Sequence, residues 1–144
     1  MRDRVTTIIA VVGLFLTLAI TVTAQTHSGA EVNIPFDFTA GKGQLKAGKY
    51  FVTRSTGNLL KIVSIDGKKA ILVDAPLTIG SRDYKAGERL VFNRYGSQYF
   101  LTQVWLSADE GRQLFPTKTE TTAARELAGT SAKPQRVEIA IKGR

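Results

Sequence analysis

The sequence predicts a mainly β fold: a single antiparallel β-barrel or β-sandwich of about seven to eight short strands, with one C-terminal helix before the last strand. Three observations predict it. Apolar and polar residues alternate with period two in several runs, as at Val32, Ile34, Phe36 and Phe38, which puts one set of side chains on each face of a strand. Glycine-bearing turns such as Gly41-Lys42-Gly43, Asp66-Gly67 and Tyr95-Gly96-Ser97 bound these runs. Helix signals gather in one late stretch alone, after Thr117.

Residues 1–24 stand apart from this pattern. Arg2 and Arg4 precede an apolar run from Ile8 to Ile20, and Val22-Thr23-Ala24 offers small residues at its end. That is the pattern of a removable export signal cut before Gln25. The run falls short of the roughly 20 apolar residues of a spanning helix, and no second long apolar segment follows. The expected division is a signal peptide over 1–24, a flexible arm over 25–30 and a single β domain over 31–144. The expected address is exported, periplasmic or extracellular, and the chain is not membrane-spanning once processed.

The first strand runs through Val32 to Phe38, with Pro35 favouring an edge or a bulge because it has no N–H for the ladder. Turn chemistry at Lys46-Ala47-Gly48 then feeds Tyr50 to Thr53. Strands over Leu59 to Ile65 and Ala70 to Asp74 flank Asp66-Gly67, whose glycine accepts positive φ. The clearest unit is a hairpin from Arg89 to Leu106. With a two-residue loop, Leu90 and Phe92 share a face with Tyr99, Leu101 and Trp105, the best core set in the chain. The opposite face, with Val91, Asn93, Tyr95, Gln98, Phe100, Thr102 and Val104, is mixed, as for a face half covered by its own domain.

Thr117 and Glu120 match a capping box, and Gly129 stands where a left-handed helix cap is expected. Ala123, Ala124 and Leu127 form a thin apolar stripe between them. Pro134 opens a last strand in which Val137, Ile139 and Ile141 alternate with Glu138, Ala140 and Lys142. Lys46-Ala-Gly-Lys-Tyr-Phe-Val52 echoes Lys85-Ala-Gly-Glu-Arg-Leu-Val91. A Lys-Ala-Gly turn feeding an apolar strand is common local chemistry, which accounts for the echo without a duplication.

The segments Val32-Asn-Ile-Pro-Phe-Asp-Phe38, Leu45-Lys-Ala-Gly-Lys-Tyr50 and Tyr99-Phe-Leu-Thr-Gln-Val-Trp105 resemble a set of short exported bacterial all-β proteins of unknown function. The resemblance implies export and an all-β domain. It implies no catalytic or binding residue.

Composition removes much familiar chemistry. There is no cysteine, so thiol catalysis, Cys-ligated zinc and disulfides are excluded. The single histidine, His27, falls in the expected arm, which leaves no material for a Ser-His-Asp triad in the β domain. Two aspartates, Asp37 and Asp74, leave a carboxylate-pair hydrolase formally open, but nothing in the sequence brings them together. No catalytic residue, metal site or cofactor is therefore expected.

Lys and Arg number 20 against 12 Asp and Glu, a formal net charge of +8. Such an excess attracts anions in general. Export argues against nucleic acid and for an anionic envelope lipid or polysaccharide. Lys42, Lys46, Lys49, Lys68, Lys69, Arg82 and Lys85 lie among glycine turns, where scattered charge serves solubility and edge protection. The expected role is a non-catalytic binding or structural module of the envelope or extracellular space. The alternative is a small barrel carrying an apolar ligand, lined by Phe36, Phe92, Leu101 and Trp105.

Overall fold

The computed structural model describes residues 29–142. The expected leader and residues 25–28 of the expected arm lie outside the described residues. Among the described residues eleven strands, one short 3-10 turn and one α-helix follow in order. They are β1 (Gly29–Ile34), β2 (Phe38–Ala40), β3 (Gly43–Leu45), β4 (Gly48–Arg54), β5 (Leu59–Ser64) and β6 (Ala70–Asp74). Then come β7 (Leu77–Gly80), the turn Tyr84–Ala86, β8 (Arg89–Tyr95), β9 (Gln98–Trp105), β10 (Glu110–Gln113), α1 (Lys118–Ala128) and β11 (Gln135–Ala140). The count exceeds the sequence expectation because β2, β3, β7 and β10 have only three or four residues each. Pieces that short carry no periodic signal.

The strands form two sheets. The first has the order β1-β4-β5-β6; the second runs β11-β8-β9-β10-β7, with β2 joined to β9 and β3 to β2. Both orders are open, so the architecture is a sandwich and not a closed barrel. Val32, Ile34, Val52, Leu60, Ile62 and Val73 of the first sheet meet Phe38, Leu90, Phe92, Leu101 and Val104 of the second in one buried core. The echoed segments occupy matching places. Each feeds an inner strand, β4 or β8, that makes a hairpin with the strand following it.

The alternating run Val32–Phe38 is not one strand. Its ladder ends at Ile34, and the chain crosses between the sheets over Pro35–Asp37 before resuming as β2. Proline, lacking an N–H, stops the ladder where the crossing begins. Period-two burial survives at Val32, Ile34 and Phe38, while Phe36 is partly buried. At the other end of this run, Gly29 and Ala30 already pair with Thr53 and Val52, so the strand begins inside the stretch expected to be arm.

The hairpin β8–β9 turns through Gly96-Ser97, as the two-residue loop requires. Gly96 has φ 62° and Ser97 does not have positive φ, the sign pattern of a type II′ turn. The expected faces hold up to Leu101 and then reverse. Phe92 pairs with Leu101 but Val91 pairs with Gln103, leaving Thr102 as an extra, bulged residue. Its hydroxyl donates to the Val91 carbonyl at 3.1 Å. One added residue exchanges the faces of everything beyond it. Val104 therefore enters the core in place of Trp105, and Trp105 lies on the outer face of the second sheet.

Trp105 is nonetheless 4% exposed. The Arg89 guanidinium sits 4.3 Å above its ring, its indole N–H donates to Gln103 Oε1 at 3.1 Å, and Gly111 lies beneath. The same outer face takes α1. Glu120 accepts from Asn93 Nδ2 at 3.2 Å and from the Tyr95 hydroxyl at 3.3 Å, and Ala123 is buried beside it. Thr117 caps the helix by accepting from the Glu120 N–H at 3.2 Å. The expected box is half formed: the Glu120 side chain turns to the sheet instead of reaching back. Gly129 also departs from expectation, ending the helix in right-handed backbone at φ −74°.

A Cβ at residue 111 would stand 2.5 Å from Trp105 Cδ2, closer than atoms pack. Gly111→Ala should therefore cost about 1–3 kcal/mol in urea unfolding through overpacking. An unshifted midpoint would show that the Trp105 ring does not rest on that strand.

Candidate functional site

Four connections converge at one end of the sandwich: Pro35–Asp37, Leu45–Gly48, the loop between β5 and β6, and the β8–β9 turn. Antiparallel pairing dictates this, since β4 begins where its neighbour β5 ends. Between them lies an open cleft of about 970 Å³. Its apolar lining comes from Phe38, Leu45, Tyr50, Ile65 and Tyr99, and its polar lining includes Thr39, Gln44, Ser64, Ser97 and Gln98. Lys46, Lys49, Lys68 and Lys69 stand around it with Asp37 and Asp66.

The two aspartates shape the walls. Asp37 Oδ2 accepts from Lys46 Nζ at 2.8 Å and Oδ1 from the Ala47 N–H at 2.9 Å. The Lys46 hydrogen bond and the Ala47 amide hold the Asp37 carboxyl below its ordinary value, and the Lys46 ammonium is raised in turn by its bond to Asp37. Asp66 accepts from Ser64 Oγ at 2.6 Å and from the Lys68 N–H at 3.1 Å, and these bonds lower it too. Gly67 makes this turn possible, with φ 71°. Tyr50 donates its hydroxyl to the Lys46 carbonyl at 2.7 Å. Burial above all, then the charges of Asp66 and Asp37, raises its pKa, so it stays a neutral donor.

The charge balance of the cleft is positive. Asp37 neutralises Lys46, and Lys68 lies 3.9 Å from Asp66. Lys49 and Lys69 form no ion pair among the described residues. An anion entering the cleft thus meets two unneutralised ammonium groups, with hydroxyls and carboxamides beside them.

The residues expected to line an apolar-ligand cavity lie elsewhere. Phe36 stacks on Tyr99 at 3.8 Å between ring centroids and meets Phe92 edge-on at 5.2 Å. Phe92 and Leu101 are fully enclosed in the core. The structure brings these three together as packing, and the Thr102 bulge sends Trp105 to the other side of the sheet. None of the four lines the cleft. Of the two aspartates considered for hydrolysis, Asp37 lines the cleft, whereas Asp74 lies at the opposite end of β6. Asp37 is held ionised, the reverse of the raised pKa a general acid needs. Among the described residues no three His, Cys, Asp or Glu gather as metal ligands, and no helix is long and apolar enough to cross a membrane.

The lysines were visible in the sequence, but as scattered turn charges. Four of the seven basic residues noted there share this cleft; Lys42, Arg82 and Lys85 do not line it. The missing signal was topological. Lys46 and Lys49 bracket the start of β4, Lys68 and Lys69 follow the end of β5, and pairing of those strands brings them to one end.

The Asp37 clamp has a pH signature. Because its folded pKa is depressed, its contribution is present above the ordinary carboxylate value and is lost as pH falls through the lowered one. In an NMR titration the Asp37 carboxyl should change below the range of an unperturbed aspartate, with the Ala47 amide shift following it. Lys46→Ala should move the midpoint back up; an ordinary midpoint in both proteins would contradict the clamp. Comparison with protein-family models, with curated proteins and with solved structures gave no match.

Proposed function

We propose that the chain is an exported, non-catalytic binding module of the cell envelope or extracellular space, and that its cleft takes a segment of acidic polysaccharide. The observation that carries this reading is the pair Lys49 and Lys69, unneutralised at the rim of a cleft of about 970 Å³. A positive concave surface concentrates anions. Hydroxyl and carboxamide groups at Thr39, Gln44, Ser64, Ser97 and Gln98 suit a ligand rich in hydroxyls. Export rests on the leader pattern of residues 1–24. The non-catalytic reading rests on the ionised state of Asp37 and its separation from Asp74. The apolar-ligand alternative lacks comparable support, since Phe36, Phe92 and Leu101 fill the space between the sheets.

Titration calorimetry with oligogalacturonate at low salt tests the reading. Binding is expected, weakening as salt screens the charges. Lys49→Glu with Lys69→Glu should lower affinity by roughly tenfold or more, about 1.4 kcal/mol. Lys42→Glu with Arg82→Glu, the same charge change outside the cleft, should have little effect. Equal losses in both variants would reduce the attraction to net charge. Binding to phosphatidylglycerol vesicles but not to the oligosaccharide would overturn the choice of ligand.

A further inference from the structure

We propose that the protein self-associates as a two-fold dimer through the free edge of β6, joining two copies of the four-stranded sheet into one antiparallel sheet. The backbone of β6 points alternately toward β5 and away from it. Ala75 donates to the Asn58 carbonyl at 3.0 Å, and Ser64 donates to the Lys69 carbonyl at 2.8 Å. With the register Leu60↔Val73 and Ile62↔Ile71, these bonds turn the N–H and C=O groups of residues 69, 71, 73 and 75 toward β5. Those of Ala70, Leu72 and Asp74 point outward, by the alternation of an antiparallel ladder. Among the described residues nothing bonds to them.

The edges at β1, β7 and β11 are guarded and this one is not. Pro35 ends β1, which lies beside β11. Pro76 precedes β7, and β11 carries the ion pair of Arg136 with Glu138. The β6 sequence Ala-Ile-Leu-Val-Asp holds no lysine or proline, residues that commonly blunt an edge, and its one charge, Asp74, stands at its end. Leu72 at its centre is 59% exposed.

The occupant that fits is a second copy. With the dyad at Leu72, each Leu72 faces its own counterpart, and Ala70 faces Asp74 of the partner subunit. Every outward group is then used, giving about six N–H···O bonds. Lys68 of one copy falls diagonally across from Asp74 of the partner subunit, within reach of a long side chain. Asp74 makes no ion pair among the described residues, and Lys68 only the 3.9 Å contact with Asp66. The two ends of the joined edge are therefore complementary in charge. Five residues make a short edge, so association is weak and concentration-dependent.

Sedimentation velocity of the protein expressed from its full sequence tests this. A dimer should grow in with concentration, and Leu72→Lys should abolish it without loss of folded signal. Because the chain has no cysteine, Leu72→Cys supplies one thiol on the dyad. Mild oxidation should then link copies far faster than in Ser131→Cys, an exposed control. A monomer at every concentration, a dimer insensitive to Leu72→Lys, or equal linking of the two cysteine variants would overturn the proposal.

Discussion

The stack of Phe36 on Tyr99, 3.8 Å between centroids, holds the two sheets in register at the end where the cleft opens. Phe36 sits on the crossing between β1 and β2, so its ring joins the strand that leaves the first sheet to β9 of the second. Phe92 meets Phe36 and Phe38 edge-on, and Phe38 meets Tyr50 in the same way at 5.5 Å. Edge-on contacts favour fixed ring orientations beyond simple burial. The cluster thereby sets the separation of β4 from β9, and with it the width of the cleft between them. Asp37, next along the chain, pins the opposing turn through Lys46 and Ala47.

Much of this was legible in the residues. Alternation located the main strands, Asp66-Gly67 and Gly96 located turns, and Thr117 located the helix start. What escaped depends on information that local pattern lacks. Pro35 announced an interruption but not that the chain would change sheets there. The bulge at Thr102 is invisible to alternation, because Val104 and Trp105 are both plausible core residues and only pairing with β8 decides between them. Glu120 fits a capping box equally well by its spacing, yet Asn93 and Tyr95 compete for its carboxylate once β8 lies beneath the helix.

The cleft escaped for a related reason. Charge in turns reads as solvation when each turn is taken singly. Antiparallel pairing of β4 with β5 collects lysines from two turns, and the aspartates neutralise only part of them. Local hydrogen bonds hold Asp37 and Asp66 ionised and so fix that partial balance across the pH range above their lowered values. The result is a rigid wall with positive charge left over, formed by connections and not by the strands whose packing supports them. Function on loops held by a fixed scaffold is the general pattern.

Amide shift mapping by NMR with oligogalacturonate reports where an acidic ligand sits on the protein. Perturbations are expected at Asp37–Thr39, Gln44–Tyr50, Ser64–Lys69 and Ser97–Tyr99 and nowhere else. Perturbations spread over Lys42, Arg82 and Lys85, or centred on the outer face around Trp105 and α1, would contradict binding in the cleft.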